Sequence, residues 1–465
     1  MSSFITNALT ASLLMAASAA AADPIPLGNR LELFIDDALI DRFSGDVVQY
    51  VHEPRAEEVV LVTDRPWEGN TCAYYTIFQD GNRYRMYYRG SHADEQTQKP
   101  QHPEVVCYAE STDGIHWTRP ELGLCEWEGS TANNIVWNGL GSHCFTPFKD
   151  ANPDATAETR YKAITAAQSP SKKGLYVLGS ADGLRWSLLS DEPVITEGAF
   201  DSQNLAFWDP HTRQYVDYHR TFVDRVRTIM TCTSADFLHW TEPELLQFPA
   251  APNEHLYTNA IRPYPRAPHL RVGFPTRYQP ANSQVEPIVM VSRDGVTFHR
   301  HGKAVIPITA PKERDGNRSN YMANALVSLP GNDREYAVYA SESYYDGPDS
   351  RLRRFMYRVD GFVSARAGLS GGEVVTRPFT YDGTTLVLNY AVHDGGSVRV
   401  ELQAADGRPL APFALDNCRA LTGDEINGTA MWESGGMLSD HTGEPVRLRF
   451  VLQNADLYSF RFADP

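Results

Sequence analysis

The feature that most constrains the fold is a short motif met four times. It reads Ser111-Thr-Asp-Gly-Ile-His-Trp117, Ser180-Ala-Asp-Gly-Leu-Arg-Trp186, Ser234-Ala-Asp-Phe-Leu-His-Trp240 and Ser292-Arg-Asp-Gly-Val-Thr-Phe298. The closing aromatics are 69, 54 and 58 residues apart, and a degenerate fifth copy, Arg358-Val-Asp-Gly-Phe362, follows after 64 more. Asp-Gly between two β-prone runs signals a hairpin turn, because glycine tolerates positive φ. Upstream of each copy lies a second hairpin pattern: 73–78 with 84–89, 144–148 with 161–166, 205–208 with 215–220, 260–264 with 270–278, and 323–329 with 336–341. Two hairpins per repeat make four strands, and five such units describe a five-bladed β-propeller. The motif itself is expected to be structural, its Asp capping a turn on the rim.

The chain begins well before the first repeat, so 47–52 is expected to supply the outer strand of blade five and close the ring. The repeat stops near Ala367, and the alternating patterns that follow predict a separate antiparallel β-sandwich. The fold class is therefore all-β: a propeller over 23–366, then a sandwich over 367–465. Residues 1–22 have no charged side chain, an apolar run from Leu9 to Ala22 and small-residue cleavage sites such as Ala20-Ala21-Ala22. They read as a signal peptide, which implies a periplasmic or extracellular mature protein. No later segment is apolar enough to span a bilayer.

A net charge of −16 without Lys/Arg clusters argues against nucleic acid as a partner. The six cysteines are sparse and lack CxxC spacing, so connectivity is open and zinc has no support. The reading assigns no metal and no cofactor.

In a propeller, the start of the first strand and the end of the second lie at the same mouth of the axial tunnel. Strand-one starts contribute Glu68, His143, Asp201, Gln203, Asn204, His255, Asn259 and Asn320, and strand-two ends contribute Arg89, Arg220, Arg277 and Glu342. Paired carboxylates across a sugar can protonate a leaving oxygen and activate water or attack. Glu68, Asp201 and Glu342 are thus the catalytic candidates. Arg89, His143, Gln203, Asn204, Arg220, His255, Asn259 and Arg277 are the substrate-binding candidates. The three arginines either neutralise the carboxylates or clamp an acidic or sulfated sugar. Trp67, Tyr75, Tyr257 and Tyr344 could stack on sugar faces, and Asp36, Asp37 and Asp41 form a separate acidic cluster.

Taken with Leu33-Phe-Ile-Asp-Asp37, Pro66-Trp-Glu-Gly69 and Phe200-Asp-Ser-Gln-Asn204, the repeat resembles the propeller glycoside hydrolases grouped around families 32 and 43, above all secreted relatives with a family 32-like amino-terminal domain. The resemblance implies three carboxylates on the first three blades. Here Glu68 stands where the family has Asp, His143 where it has a carboxylate, and Asp201 where it has Glu. The family 32 strings Asn-Asp-Pro-Asn-Gly and Arg-Asp-Pro are absent, which disfavours invertase-like action. The expected function is an exported glycosidase acting on a terminal or side-chain sugar. A non-catalytic glycan-binding propeller is the alternative, and a propeller for protein association a third.

Overall fold

A computed structural model describes residues 23–167, 171–310 and 320–464. Five sheets are arranged as propeller blades. Blade one comprises Ala73–Asp80, Arg83–Gly90, Val105–Ser111 and Ile135–Trp137. Blade two comprises Thr146–Lys149, Tyr161–Ala167, Gly174–Ser180 and Ser187–Leu188. Blade three comprises Leu205–Asp209, Gln214–Val223, Val226–Ser234 and Glu244–Leu245. In blade four the second strand is broken into Ala267–Gly273 and Thr276–Gln279, both pairing with Gln284–Ser292. Pro275 lies in that break, where a missing N–H interrupts the ladder.

Blade five is Val327–Leu329, Asn332–Glu342 and Arg351–Arg358, completed by Arg55–Val62 from near the start of the described chain. The ring is therefore closed by an amino-terminal strand, but a later one than 47–52. That segment lies in Ile40–Val51, which pairs with Val363–Thr376 in the carboxy-terminal sheet.

The repeated motif builds one turn four times. Ser111 Oγ accepts the Gly114 N–H at 2.9 Å, and Asp113 Oδ1 accepts the N–H groups of Ile115 and His116, both at 2.8 Å. The same pattern recurs at Ser180/Asp182, Ser234/Asp236 and Ser292/Asp294. The fourth residue has positive φ in every copy, +74° at Gly114 and +70° even at Phe237. Its carbonyl also joins blades: Tyr339 of blade five donates to Gly114 O at 2.7 Å, Tyr87 of blade one to Gly183 O at 2.9 Å, and Tyr218 of blade three to Gly295 O at 2.9 Å. Between blades two and three the fully buried Phe237 ring takes that place. The motif is thus an inter-blade latch as well as a turn.

The eight-stranded carboxy-terminal sheet centres on Thr385–Ala404 and Val446–Ala463, which pair along most of their length with register shifts. Phe34, Phe379, Phe450 and Phe460 pack at its core, consistent with a sandwich-like second layer. Its make-up departs from the expected division at 366/367. Ile25–Gly28, Glu32–Leu33 and Ile40–Val51 belong to it, and its strand Val363–Thr376 runs across that boundary. Backbone pairing, which pattern alone does not reveal, ties the amino-terminal arm to the carboxy-terminal layer. No helix among the described residues is long and apolar enough to cross a membrane. All six cysteines are free thiols, five of them buried. The expected signal peptide, 1–22, lies outside the described residues.

Candidate active site at the propeller mouth

A cavity of about 320 Å³ opens at the mouth where first strands begin and second strands end. Its lining includes Tyr74, Arg89, Glu104, His143, Asp201, Arg227, Tyr257, Tyr344 and Tyr345. Two of these, Tyr74 and Tyr345, have φ of +58° and +60°. Side chains held in that region cost of order 1 kcal/mol or more and concentrate at functional sites.

The polar centre is a chain of charges drawn from three blades. His143 Nδ1 lies 2.8 Å from Glu104 Oε2, and His143 Nε2 lies 2.9 Å from Asp201 Oδ1. Arg89 Nη1 is 3.1 and 3.2 Å from the two ring nitrogens, which places the guanidinium against the ring and out of line with either N–H. Arg89 is itself fixed by Thr71 O and the Tyr344 hydroxyl, both at 2.8 Å, and by the Tyr74 ring at 4.8 Å.

This arrangement decides the charge states. Burial and the Arg89 charge oppose protonation of His143, yet Cys144 and the hydrogen bond to Asp201 carry its pKa well above the ordinary imidazole value. The His143 hydrogen bond, working against burial, lowers Asp201 to about 2. Burial would raise Glu104, but hydrogen bonding to His143 and the Arg89 charge hold it below the usual carboxylate range. The two carboxylates flanking the ring favour an imidazolium between them. Asp201 is 64 % exposed into the cavity mouth, whereas the Arg89 side chain is only 4 % exposed.

Of the three expected catalytic carboxylates, only Asp201 lines this cavity. Glu68 is buried inside blade one, where it accepts from Tyr88 at 2.5 Å and Arg119 at 2.7 Å. Glu342 is equally buried and receives Arg353 at 2.6 Å. Glu342 and Arg353 pair across neighbouring strands, Glu68 and Arg119 across the loops that flank blade one, and both carboxylates are buried away from the cavity.

The binding candidates divide in the same way. Arg89 and His143 line the cavity, and Arg220 stands behind Asp201 with Nη2 3.9 Å from Oδ2. Gln203 crosses the tunnel floor to Tyr74 O and Tyr75 O at 3.1 and 3.2 Å. Asn204 binds Phe200 O, and Asn259 binds Tyr218 O, as buried backbone clamps. Arg277 is taken up by Glu286 at 2.5 Å and Glu254 at 3.2 Å, and it lines a separate groove with His255. Tyr257 and Tyr344 face the main cavity, but Tyr75 stacks on Tyr88 and Trp67 donates to Asn134. Asn320 reaches toward Pro307 O at 3.4 Å. Asp36 and Asp41 bind Arg293 and Arg447, both at 2.8 Å, while Asp37 lines a groove beside Arg293.

Sequence reasoning missed Glu104 and Arg227, and both omissions have one cause. Third strands run antiparallel to second strands, so their starts also lie at this mouth. Glu104 immediately precedes Val105–Ser111, and Arg227 is the second residue of Val226–Ser234. Counting strand-three starts would have found both.

No family model matches the chain. It is similar to two uncharacterized proteins of Mycobacterium tuberculosis: Rv1502 of strain H37Rv, 28 % identical over 141 residues, and MT1551 of strain CDC 1551, 24 % identical over 139. Each match covers 30 % of this chain and 41 % of the relative, so the chain spans about two fifths of the length of the curated relatives it matches. Among solved structures it is similar to a glycoside hydrolase family 43 arabinoxylan arabinofuranohydrolase from Bacillus subtilis, with 13 % identity, TM-score 0.43 and coverage of 89 % and 99 % of the two chains. An N-acetylgalactosamine deacetylase from F. plautii gives 13 % identity, TM-score 0.45 and coverage of 68 % and 96 %. A GH32 beta-fructofuranosidase from Bombyx mori gives 10 %, 0.42, and 90 % and 95 %.

One further cluster has metal-ligand chemistry among the described residues: Asp217, His219 and Cys232, fully enclosed in blade three. His219 Nδ1 is hydrogen-bonded to Asp217 Oδ1, and Cys232 Sγ lies 3.8 Å from the same oxygen. None of the three lines the mouth cavity.

Proposed function

We propose that the chain is an exported glycoside hydrolase acting on a terminal or side-chain sugar at the propeller mouth. The observation that carries this is His143 held between Glu104 and the exposed Asp201, in a small cavity walled by tyrosines. Tyrosine faces suit pyranose rings, and about 320 Å³ is at the small end of ligand pockets, fit for one or two sugar units.

In this reading the roles follow from charge. Asp201, lowered to about 2, has no proton to give at neutral pH and serves as base or nucleophile. His143 holds the proton. As substrate enters, the exposed Asp201 side chain turns from Nε2, and the His143 N–H meets the glycosidic oxygen. The C1–O bond breaks as that proton moves to the leaving group. Water adds to C1, directly or after attack by Asp201, and its proton passes through Asp201 back to His143. Glu104 is a positioning residue, because its bond to Nδ1 fixes the ring and favours the imidazolium.

The test is product release from a panel of natural glycans, followed by NMR of the first anomer formed. Retention places Asp201 as nucleophile, and inversion places it as base. Binding of glycans without release of any sugar would overturn the catalytic reading in favour of a glycan-binding propeller. For export, the amino terminus of the secreted protein should begin just after residue 19 or 22; retention of residues 1–22 on protein held in the cytoplasm would refute it.

A further inference from the structure

The three arginines singled out in the sequence each have an acidic neighbour: Glu104 for Arg89 at 3.7 Å, Asp201 for Arg220 at 3.9 Å, and Glu286 for Arg277 at 2.5 Å. A fourth cation has none among the described residues. Arg227 lines the cavity, and no carboxylate among the described residues lies within 4.0 Å of it. Its guanidinium is held instead by rings: Tyr278 at 4.8 Å, Tyr257 at 5.1 Å and Phe222 at 5.3 Å. Nη1 is 3.2 Å from His255 Nδ1, while Nε is buried with no hydrogen-bond partner among the described residues.

Aromatic faces orient a guanidinium without consuming its in-plane donors. A buried donor left unpaired costs roughly 1–3 kcal/mol, a cost that a ligand oxygen would relieve. The surroundings strengthen the inference. Arg220 lies against the same Tyr257 and Phe222 rings, at 5.1 and 5.3 Å. Around the cavity, Arg89, Arg220, Arg227 and His143 face only Glu104 and Asp201 among the described residues, a local positive surplus in a chain of net charge −16. An acidic protein does not attract anions at long range, so this surplus is a property of the site.

We propose that this end of the cavity binds an anionic substituent of the sugar, a carboxylate or a sulfate, and that Arg227 is the residue that selects it. The inference rests on the carbohydrate reading of the cavity but not on catalysis. The planar fork of Arg227 would pair with two oxygens of the substituent, placing the ring against Tyr257 with its anomeric carbon toward His143 and Asp201.

The experiment is calorimetric binding at low and high salt, with matched pairs: glucuronate against glucose, galacturonate against galactose, and N-acetylglucosamine 6-sulfate against N-acetylglucosamine. The wild-type protein should bind at least one anionic member about tenfold or more tightly than its neutral partner. That preference should shrink as salt rises, though less than for an exposed pair. Arg227→Met should abolish it, and Arg227→Lys should retain part of it, since lysine keeps the charge and loses the fork. If Arg227→Met fails to fold, the lysine variant and the choice between carboxylate and sulfate decide the matter. Equal binding of neutral and anionic partners, failure of every anionic member to bind, or an unchanged preference in Arg227→Lys would overturn the proposal. Anion-selective binding without turnover would leave it standing and remove the glycosidase reading; hydrolysis of neutral glycosides alone would do the reverse.

Discussion

The two ends of the blades use the same chemical pair to different purposes. At the turn end, Asp113 and His116, and Asp236 and His239, are contacts of 2.7 Å between side chains three residues apart, with both histidines more than 80 % exposed. At the mouth, His143 and Asp201 make a contact of 2.9 Å across 58 residues and two blades. The turn aspartates also satisfy two backbone N–H groups each, so their carboxylates are spent on local structure. Among the described residues Asp201 has no backbone donor, and it is left facing the cavity. A carboxylate–imidazole pair becomes a candidate for chemistry when the fold assembles it from separate elements and leaves one side open.

The largest expected effect separates the two ends directly. Asp201→Asn and His143→Gln should each lower kcat about 10²–10⁴-fold in protein that still folds. Asp113→Asn and Asp236→Asn should leave kcat within twofold. Rates for folded variants on one glycoside check this; full activity in both mouth variants would remove the roles given to them.

Next in size is the buried pair of blade one. Glu68→Ala should destabilise the protein by about 3 kcal/mol, because it removes the buried acceptor of the Tyr88 hydroxyl and one of the two carboxylates that neutralise Arg119. The kcat of the folded fraction should hold. Urea unfolding with parallel kinetics distinguishes this from a catalytic Glu68, which would lose rate and little stability.

The pH response should differ as well. The raised pKa of His143 means that its pairing favours the folded state fully below about 6.5, and that this is lost as pH rises through the higher folded value. Asp201, lowered from 3.8 to about 2, contributes above 3.8 and loses its contribution as pH falls toward 2. Solvent damps the stability term at the exposed Asp201, so the readout is titration. The His143 ring signal should titrate well above 6.5, and Asp201→Asn should move it down. An unmoved titration would break the proposed coupling.

The smallest effect concerns the turns. Ser111→Ala removes the acceptor for the Gly114 N–H and should cost about 1 kcal/mol without change in kcat, measured by thermal unfolding.

The mouth was harder to read from the sequence than the blades, and particular residues show why. Asp201 and His143 were legible because they stand at the starts of first strands, a rule of topology that needs only strand order. Glu68 obeys the same rule and was misread, since the rule places a backbone and does not say which way a side chain turns. Burial beside Arg119 decided that. Arg277 failed because blade four breaks its second strand at Pro275 and offers Glu286 within the same sheet.

The sequence by itself determined the number of blades, their four-stranded make-up and the all-β class. Those are encoded by contacts across a few residues: a Ser hydroxyl, an Asp carboxylate and a residue in positive φ in one turn, repeated 54 to 69 residues apart. Tertiary structure alone decided that 55–62 and not 47–52 closes the ring, that the amino-terminal arm joins the last sheet, and that Glu104 and Arg227 complete the mouth. Glu104 reaches His143 across 39 residues, and Arg227 finds its three rings on blades three and four. Such meetings depend on how whole blades pack, which fixes direction and distance between side chains that no local pattern connects.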